Sequence, residues 1–317
     1  QEAWVAGFQT ANPDVTVTYD PIGSGGGRET FQSGASSFAG SDRAFKVDEI
    51  TEGPFGSCVE EAGIWEIPAY ISPIAIIFNL EGISTLNLDA DTLAQIFTGE
   101  ITNWNDAAIA SQNAGVDLPD LSITAVHRSD ESGTTANFTD YMSKASTDFW
   151  LLAGENAGSF EAWPAEWGGE GAPQTSGVVD AVTNGTGTIG YADASRAGSL
   201  GTVSVKVGSE YVPYSAEAAA KIVDASPAAN PGERGDNDLA IELDRATEAS
   251  GTYPIVLVSY LIGCNDYADD SVVDLVKGYV SYVVSEEGQL AAQANAGNAP
   301  ISADSRAKAE AILASIK

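Results

Sequence analysis

The sequence predicts an α/β protein of two lobes joined by a two-strand hinge, and three observations carry that reading. Strand-like and helix-like segments alternate along most of the chain. Two long apolar runs, Ile67 to Asn79 and Pro254 to Ile262, are candidates for strands that cross from one lobe to the other. These runs divide the chain into a continuous middle and two ends that must fold together. The expected outer lobe is therefore 1–71 with 257–317, and the expected middle lobe is 72–256, with a ligand cleft between them.

Glu2 to Phe8 spaces its apolar residues as a helix does and ends near Asn12-Pro13. Val15 to Tyr19 alternates and is β-branched, which predicts a strand. A glycine loop from Gly23 to Gly27, a short helix from Arg28 to Gln32 and the strand Phe38 to Asp42 then complete a compact βαβ unit. The run Ile67 to Asn79, interrupted by Pro68 and Pro73, is longer than an ordinary strand. Asp89 to Gly99 is a helix with an acidic start, an apolar face of Leu93, Ile96 and Phe97, and a terminal glycine. Ile123 to His127 predicts a strand, and the helix after Ser132 buries Phe138, Tyr141 and Met142. Val178 to Val182 is a short helix and Gly187 to Tyr191 a buried strand. The acidic, alanine-rich stretch 203–252 is expected to be irregular, and helices from Val272 to Ala296 and Ser305 to Lys317 close the chain.

Forty-five acidic residues against 14 basic ones give a net charge of -31. Such a surface excludes a general nucleic-acid binder, which needs a basic stripe, and argues against anionic membranes as a partner. No stretch approaches the roughly 18 apolar residues of a membrane span. The chain opens at Gln1-Glu2-Ala3-Trp4 without a methionine, as expected of a processed export product. Cys58 and Cys264 match no metal spacing and form either one disulfide or two buried thiols, and export favours the disulfide. One histidine and two distant cysteines supply neither a metal cluster nor a nucleophile with its base, so no catalytic residue, cofactor or metal ligand is expected.

The stretch His127 to Thr135 carries the functional signal. A strand, a hydroxyl-rich turn and a helix N-terminus present unpaired backbone N–H groups and a positive dipole end. Arg128 adds a planar donor fork suited to phosphate or carboxylate. Gly23 to Gly27 and Gly40-Ser41-Asp42 are two further loop motifs, and three of the seven arginines, Arg28, Arg43 and Arg128, lie in or beside the three. Each motif also has a plainer reading: a flexible glycine turn, Asp42 as a helix cap, Ser132 or Thr134 as an N-cap. His127, Trp104, Trp163 and Trp167 are expected to be structural.

In combination these motifs resemble the phosphate-binding proteins of the high-affinity phosphate ABC importer. The resemblance rests on Ile22 to Gly27, Phe38 to Asp42, Ile96 to Trp104, Arg128 to Thr134, Gly187 to Tyr191 and Tyr253 to Ile255, in the family's order. It implies a periplasmic-binding-protein-like fold, delivery of inorganic phosphate to an ABC permease, and a monomer that is exported, periplasmic or cell-surface, with a lipid anchor outside this chain. It implies Ser24, Asp42, Arg128, Ser132, Gly133 and Thr134 as phosphate ligands, with Asp130 orienting the arginine and Gly23 and Gly25 shaping the first loop. A further ligand loop of Gly-Ala-Gly-Ser/Thr type precedes the first helix in the family and matches nothing in this chain. The alternatives are another tetrahedral oxyanion (arsenate, sulfate or molybdate) or a surface scaffold that reuses the fold.

Overall fold

The computed structural model of the chain describes residues 1–148 and 158–317. In chain order the elements begin α1 (Glu2–Ala11), α2 (Gly23–Gln32), β1 (Ala39–Ser41), α3 (Val47–Glu52), β2 (Ile64–Phe78), β3 (Thr85–Leu88), α4 (Ala90–Phe97), α5 (Ala107–Gln112), β4 (Thr124–Arg128) and α6 (Gly133–Ala145). They continue β5 (Glu170–Ala172), α7 (Gln174–Asn184), β6 (Thr188–Asp193), β7 (Gly201–Val207), β8 (Glu210–Val212), α8 (Ala216–Ala225), β9 (Val256–Cys264), α9 (Val273–Val284), α10 (Glu286–Ala296) and α11 (Ala303–Ser315). Two compact units result: Gln1–Ile71, Ser226–Glu242 and Val258–Lys317 form the first, Ser72–Ala225 and Leu243–Leu257 the second. Strands β2 and β9 each contribute residues to both.

In the first unit, Trp4 and Phe8 lie one turn apart on α1 and are both buried. Trp4 Nε1 donates to the Gly288 carbonyl at 2.7 Å, and Phe8 meets Tyr279 edge-on at 5.4 Å. α9 and α10, expected as one helix, are two, because Ser285 ends the first and its Oγ accepts the Gly288 amide at 3.1 Å to start the second. β1 pairs antiparallel with β9, Ala39 facing Ile262 and Ser41 facing Tyr260. A disulfide joins Cys58 and Cys264 across 206 residues of sequence, with Cα atoms 5.2 Å apart. Unreduced protein should therefore take up no alkylating reagent at either cysteine; label at Cys58 or Cys264, read by mass spectrometry, contradicts the bond.

Three expectations for this unit are corrected. Residues 226–242, placed in the middle lobe from sequence, pack in the first unit. Leu239 N donates to Glu66 O at 2.9 Å, and Arg234 pairs with buried Glu66 at 3.0 Å and Asp238 at 2.7 Å. Val15 to Tyr19 forms no strand: the amide of Val15 goes to Asn12 O and that of Val17 to Gln9 Oε1, so neither joins a ladder. The glycine run Gly23 to Gly27 is not a loop but the first half of α2. Glycine is a poor helix former, but a Cβ at Gly27 would stand 2.9 Å from the Gly40 carbonyl. The small residue lets α2 lie against β1.

The second unit is built on a mixed sheet. β6 runs antiparallel to the second half of β2 and parallel to β4, and β4 is parallel to β5. β7 joins β2 antiparallel and β3 parallel, and carries β8 on a hairpin. Ala75, Ile77, Val126, Val178, Val182 and Ala192 share one buried cluster under α7. The stretch read as irregular from residue 203 holds β7, β8 and α8, and Val203, Val205 and Val207 alternate inward along β7. Asp89 caps α4 by accepting the Thr92 amide at 2.9 Å, and Trp104 is buried with Nε1 donating to Gly187 O at 3.0 Å.

Candidate functional site

In the second unit β4 stands between β6 and β5 and delivers Arg128 at its C-terminal end, where α6 begins five residues later. Arg128 is only 6% exposed. Its Nε donates to Asp130 Oδ1 at 2.8 Å and its Nη2 to Asp130 Oδ2 at 2.5 Å, a two-point clamp that fixes the plane of the guanidinium. Asp130 also accepts the Gln174 amide at 2.9 Å, at the first residue of α7. Burial raises the Asp130 carboxyl, but the Arg128 and Gln174 hydrogen bonds and the guanidinium charge outweigh it and hold its pKa below the ordinary range. Asp130 therefore stays ionised and keeps the arginine in place.

The turn then closes on α6. Ser132 is the N-cap, its Oγ accepting the Thr135 amide at 3.2 Å. The plainer capping role is thus present, and the hydroxyl still has its own proton to donate. The amides of Gly133 and Thr134 fall in the first turn, where no intrahelical acceptor exists. Tyr191 braces the corner: its hydroxyl accepts the Arg128 amide at 3.2 Å and bonds Thr135 Oγ1 at 2.7 Å. Burial pushes the Tyr191 pKa up to about 12, so the phenol stays neutral. Sequence reasoning quoted Tyr191 only as the end of a strand motif and missed this bracing. His127 has its Nδ1 2.9 Å from Arg128 O and its ring stacked on Trp163 at 5.0 Å.

In the first unit α2 begins at Gly23, whose φ of +86° suits glycine, and Gly25 is buried in the same turn. Ser24 is buried, and its Oγ accepts the Asp42 amide at 3.1 Å, which holds the end of β1 against the helix start; Gly40 and Ser41, read from sequence as part of a loop motif, belong to that strand. Asp42 and Ser24 line a cavity of about 730 Å³, with Tyr19, Gly23, Tyr70 and Tyr279 among its other walls. Arg28 and Arg43, singled out as neighbours of the loops, brace them instead. Arg28 Nη1 donates to Ser41 Oγ at 2.7 Å and its guanidinium lies over Phe45. Arg43 forks onto Glu49 with two 2.7 Å bonds.

That fork has a pH signature. Burial raises the Glu49 carboxyl, but the Arg43 and Lys46 hydrogen bonds overcome it and bring the pKa from 4.5 down to about 2. A carboxyl depressed in the folded state contributes stability that is complete above its unfolded pKa and is lost as pH falls through the folded one. Glu49→Gln is accordingly expected to cost stability at pH 7 and to flatten the acid loss between about 4.5 and 2. Thermal melts across that window check it, and parallel curves for the two proteins would contradict it.

The first unit thus brings together Gly23, Ser24, Gly25 and Asp42, and the second brings together Arg128, Asp130, Ser132, Gly133 and Thr134. Comparison with known proteins bears on what such groups serve. A family model described as a PBP superfamily domain matches residues 1–287. The phosphate-binding protein PstS3 of Mycobacterium bovis is 35% identical over 284 residues, covering 87% of this chain and 73% of that protein. The chain belongs to the PstS family of phosphate-binding proteins. A second relative of this family, PstS of Xylella fastidiosa, is 38% identical over 196 residues, 61% of this chain and 50% of its own. Among solved structures, the periplasmic phosphate-binding protein PfluDING with bound phosphate matches at TM-score 0.73 and 22% identity, over 98% of this chain and 90% of that one. A phosphate ABC transporter substrate-binding protein from Clostridium perfringens matches at TM-score 0.64 and 19% identity, over 95% and 94%. The fold is accordingly the two-lobed α/β fold of the periplasmic binding proteins.

Proposed function

We propose that the chain binds inorganic phosphate and hands it to an ABC permease. The observation that carries this reading is the Arg128 clamp: a buried guanidinium, held by Asp130, beside the first-turn amides of α6. Membership of the PstS family supports phosphate as the anion. The proposed ligands are Ser24 and Asp42 from the first unit, and Arg128, Ser132, Gly133 and Thr134 from the second. Fixed dipoles and hydroxyls do most of the binding, so the site needs little net positive charge and is compatible with a chain of -31. Affinity arises at short range, because an acidic surface repels phosphate from afar.

The protein holds its ligand and does not transform it, works as an exported monomer, and meets its permease with phosphate bound. The disulfide favours an oxidising compartment and so supports export. No helix among the described residues is long and apolar enough to cross a membrane. Calorimetric titration with phosphate, arsenate, sulfate and molybdate, beside an assay for phosphate-ester hydrolysis, tests the reading. Saturable phosphate binding, weak sulfate binding and no hydrolysis are expected. Sulfate or molybdate bound more tightly than phosphate would overturn it, as would release of phosphate from the ester.

A further inference from the structure

A second buried arginine of this unit, Arg245, lies outside the proposed ligand set and is 3% exposed. Its Nε donates to Asp140 Oδ2 at 2.5 Å, its Nη1 to the carbonyls of Pro254 at 3.1 Å and Val256 at 3.0 Å, and its Nη2 to Asn137 Oδ1. Asn137 in turn donates through Nδ2 to the Gly133 carbonyl at 2.8 Å. Gly133, Asn137 and Asp140 lie on one face of α6, at spacings of four and three residues. The guanidinium therefore braces that face against the backbone that leads into β9, and the amide of Asn137 carries the contact to the first residue of the helix.

The peptide that joins Gly133 to Thr134 is planar, so its carbonyl and the Thr134 N–H point in opposite directions and turn together. Aiming the Gly133 carbonyl at Asn137 aims the Thr134 N–H out of the helix start. The guanidinium also draws electron density through the Asn137 amide, so its N–H polarises the Gly133 carbonyl and leaves the Thr134 N–H a stronger donor. We propose that Arg245 and Asn137 are positioning residues of the phosphate site, which set and polarise the Gly133–Thr134 peptide without touching the anion. This rests on phosphate being the ligand of the α6 helix start.

The test compares wild type, Asn137→Ala, Arg245→Lys and the double variant by calorimetry with inorganic phosphate, by thermal melting without ligand, and by the proton shift of the Thr134 amide in NMR. Asn137→Ala leaves the Arg245 bonds to Asp140 and the two carbonyls in place. It is expected to weaken phosphate binding about three- to tenfold, with the ligand-free melt nearly unchanged and the Thr134 proton moved upfield. Arg245→Lys keeps a charge beside Asp140 but lacks the fork that reaches Asn137; it carries the same expectation for phosphate affinity and for the Thr134 proton should Asn137→Ala fail to fold, with a lowered melt because the carbonyls of Pro254 and Val256 lose donors. The double variant is expected to bind no more weakly than the weaker single one, because both act through one peptide. Wild type that gives no heat with phosphate overturns the ligand reading and this one together. Wild type that binds, with single variants that bind equally well or an unmoved Thr134 proton, overturns the positioning role alone. Affinity lost only in proportion to a lowered melting temperature also overturns it.

Discussion

Replacing Arg128 with alanine is expected to weaken phosphate binding at least tenfold. Two effects add. The variant removes a charge-assisted contact, worth about 1.5–3 kcal/mol where donor and acceptor are both ionised. It also strands Asp130, which holds the guanidinium from two sides and the Gln174 amide from a third. A carboxylate held below the ordinary range by its arginine stays ionised near pH 7 when part of that stabilisation goes, and repels the incoming anion. Arg128→Lys separates the two: it restores the charge but not the planar fork, so it should recover only part of the loss. Isothermal titration calorimetry at fixed ionic strength reads both, and a loss under about twofold for the alanine variant would place Arg128 outside the binding site. Asp130→Asn should also weaken binding, through an arginine free to swing, even though Asp130 itself is proposed to make no contact with phosphate.

How legible this site was in the sequence depends on how local its geometry is. Arg128, Asp130 and Ser132 to Thr134 are set by a strand end, a cap and a first helical turn, all within a few residues, so the strand-turn-helix pattern marks the stretch as an anion-site candidate, while the individual roles came from the family resemblance. The glycine run misled, because propensity argues against a helix at Gly23 to Gly27, and the reason for a small residue at Gly27, its approach to the Gly40 carbonyl, lies in a tertiary contact. Val15 to Tyr19 misled in the other direction: alternation shows that a segment can pair, not that it does. β7, β8 and α8 were missed because the alanine and acidic residues of 216–225 coloured the reading of the whole stretch, although Val203, Val205 and Val207 alternate in plain sight; the partner of β7, β3, lies far away in sequence. The contacts that place 226–242 in the first unit, and those of Arg245 with Asn137 and Asp140, join residues more than a hundred positions apart. No local pattern encodes such pairs.

Asp42→Asn is expected to reduce the preference for phosphate over sulfate at least tenfold while changing phosphate affinity little. Near neutral pH phosphate keeps at least one proton and sulfate keeps none. A carboxylate can accept that proton in a hydrogen bond, but against sulfate it faces bare oxygen, and two desolvated anions in contact cost several kcal/mol. Each 1.4 kcal/mol of that difference is a factor of ten in the ratio of affinities. The structure gives Asp42 the means to act in this way. Its amide is tied to Ser24 Oγ, so the residue is anchored at the start of α2, and it lines the same cavity as Ser24. Its charge is felt there too, since Tyr19, on the same wall, has its phenol pKa raised first by burial and then by Asp42. Asparagine keeps the shape and the oxygen but adds N–H donors, which a sulfate oxygen can use. The variant should therefore gain sulfate affinity more than it loses phosphate affinity. Competition calorimetry with both anions at one ionic strength measures the ratio directly. An unchanged ratio would mean that discrimination lies in the shape of the donor set and not in Asp42, and equal losses for both anions would mean that Asp42 serves only to hold the turn.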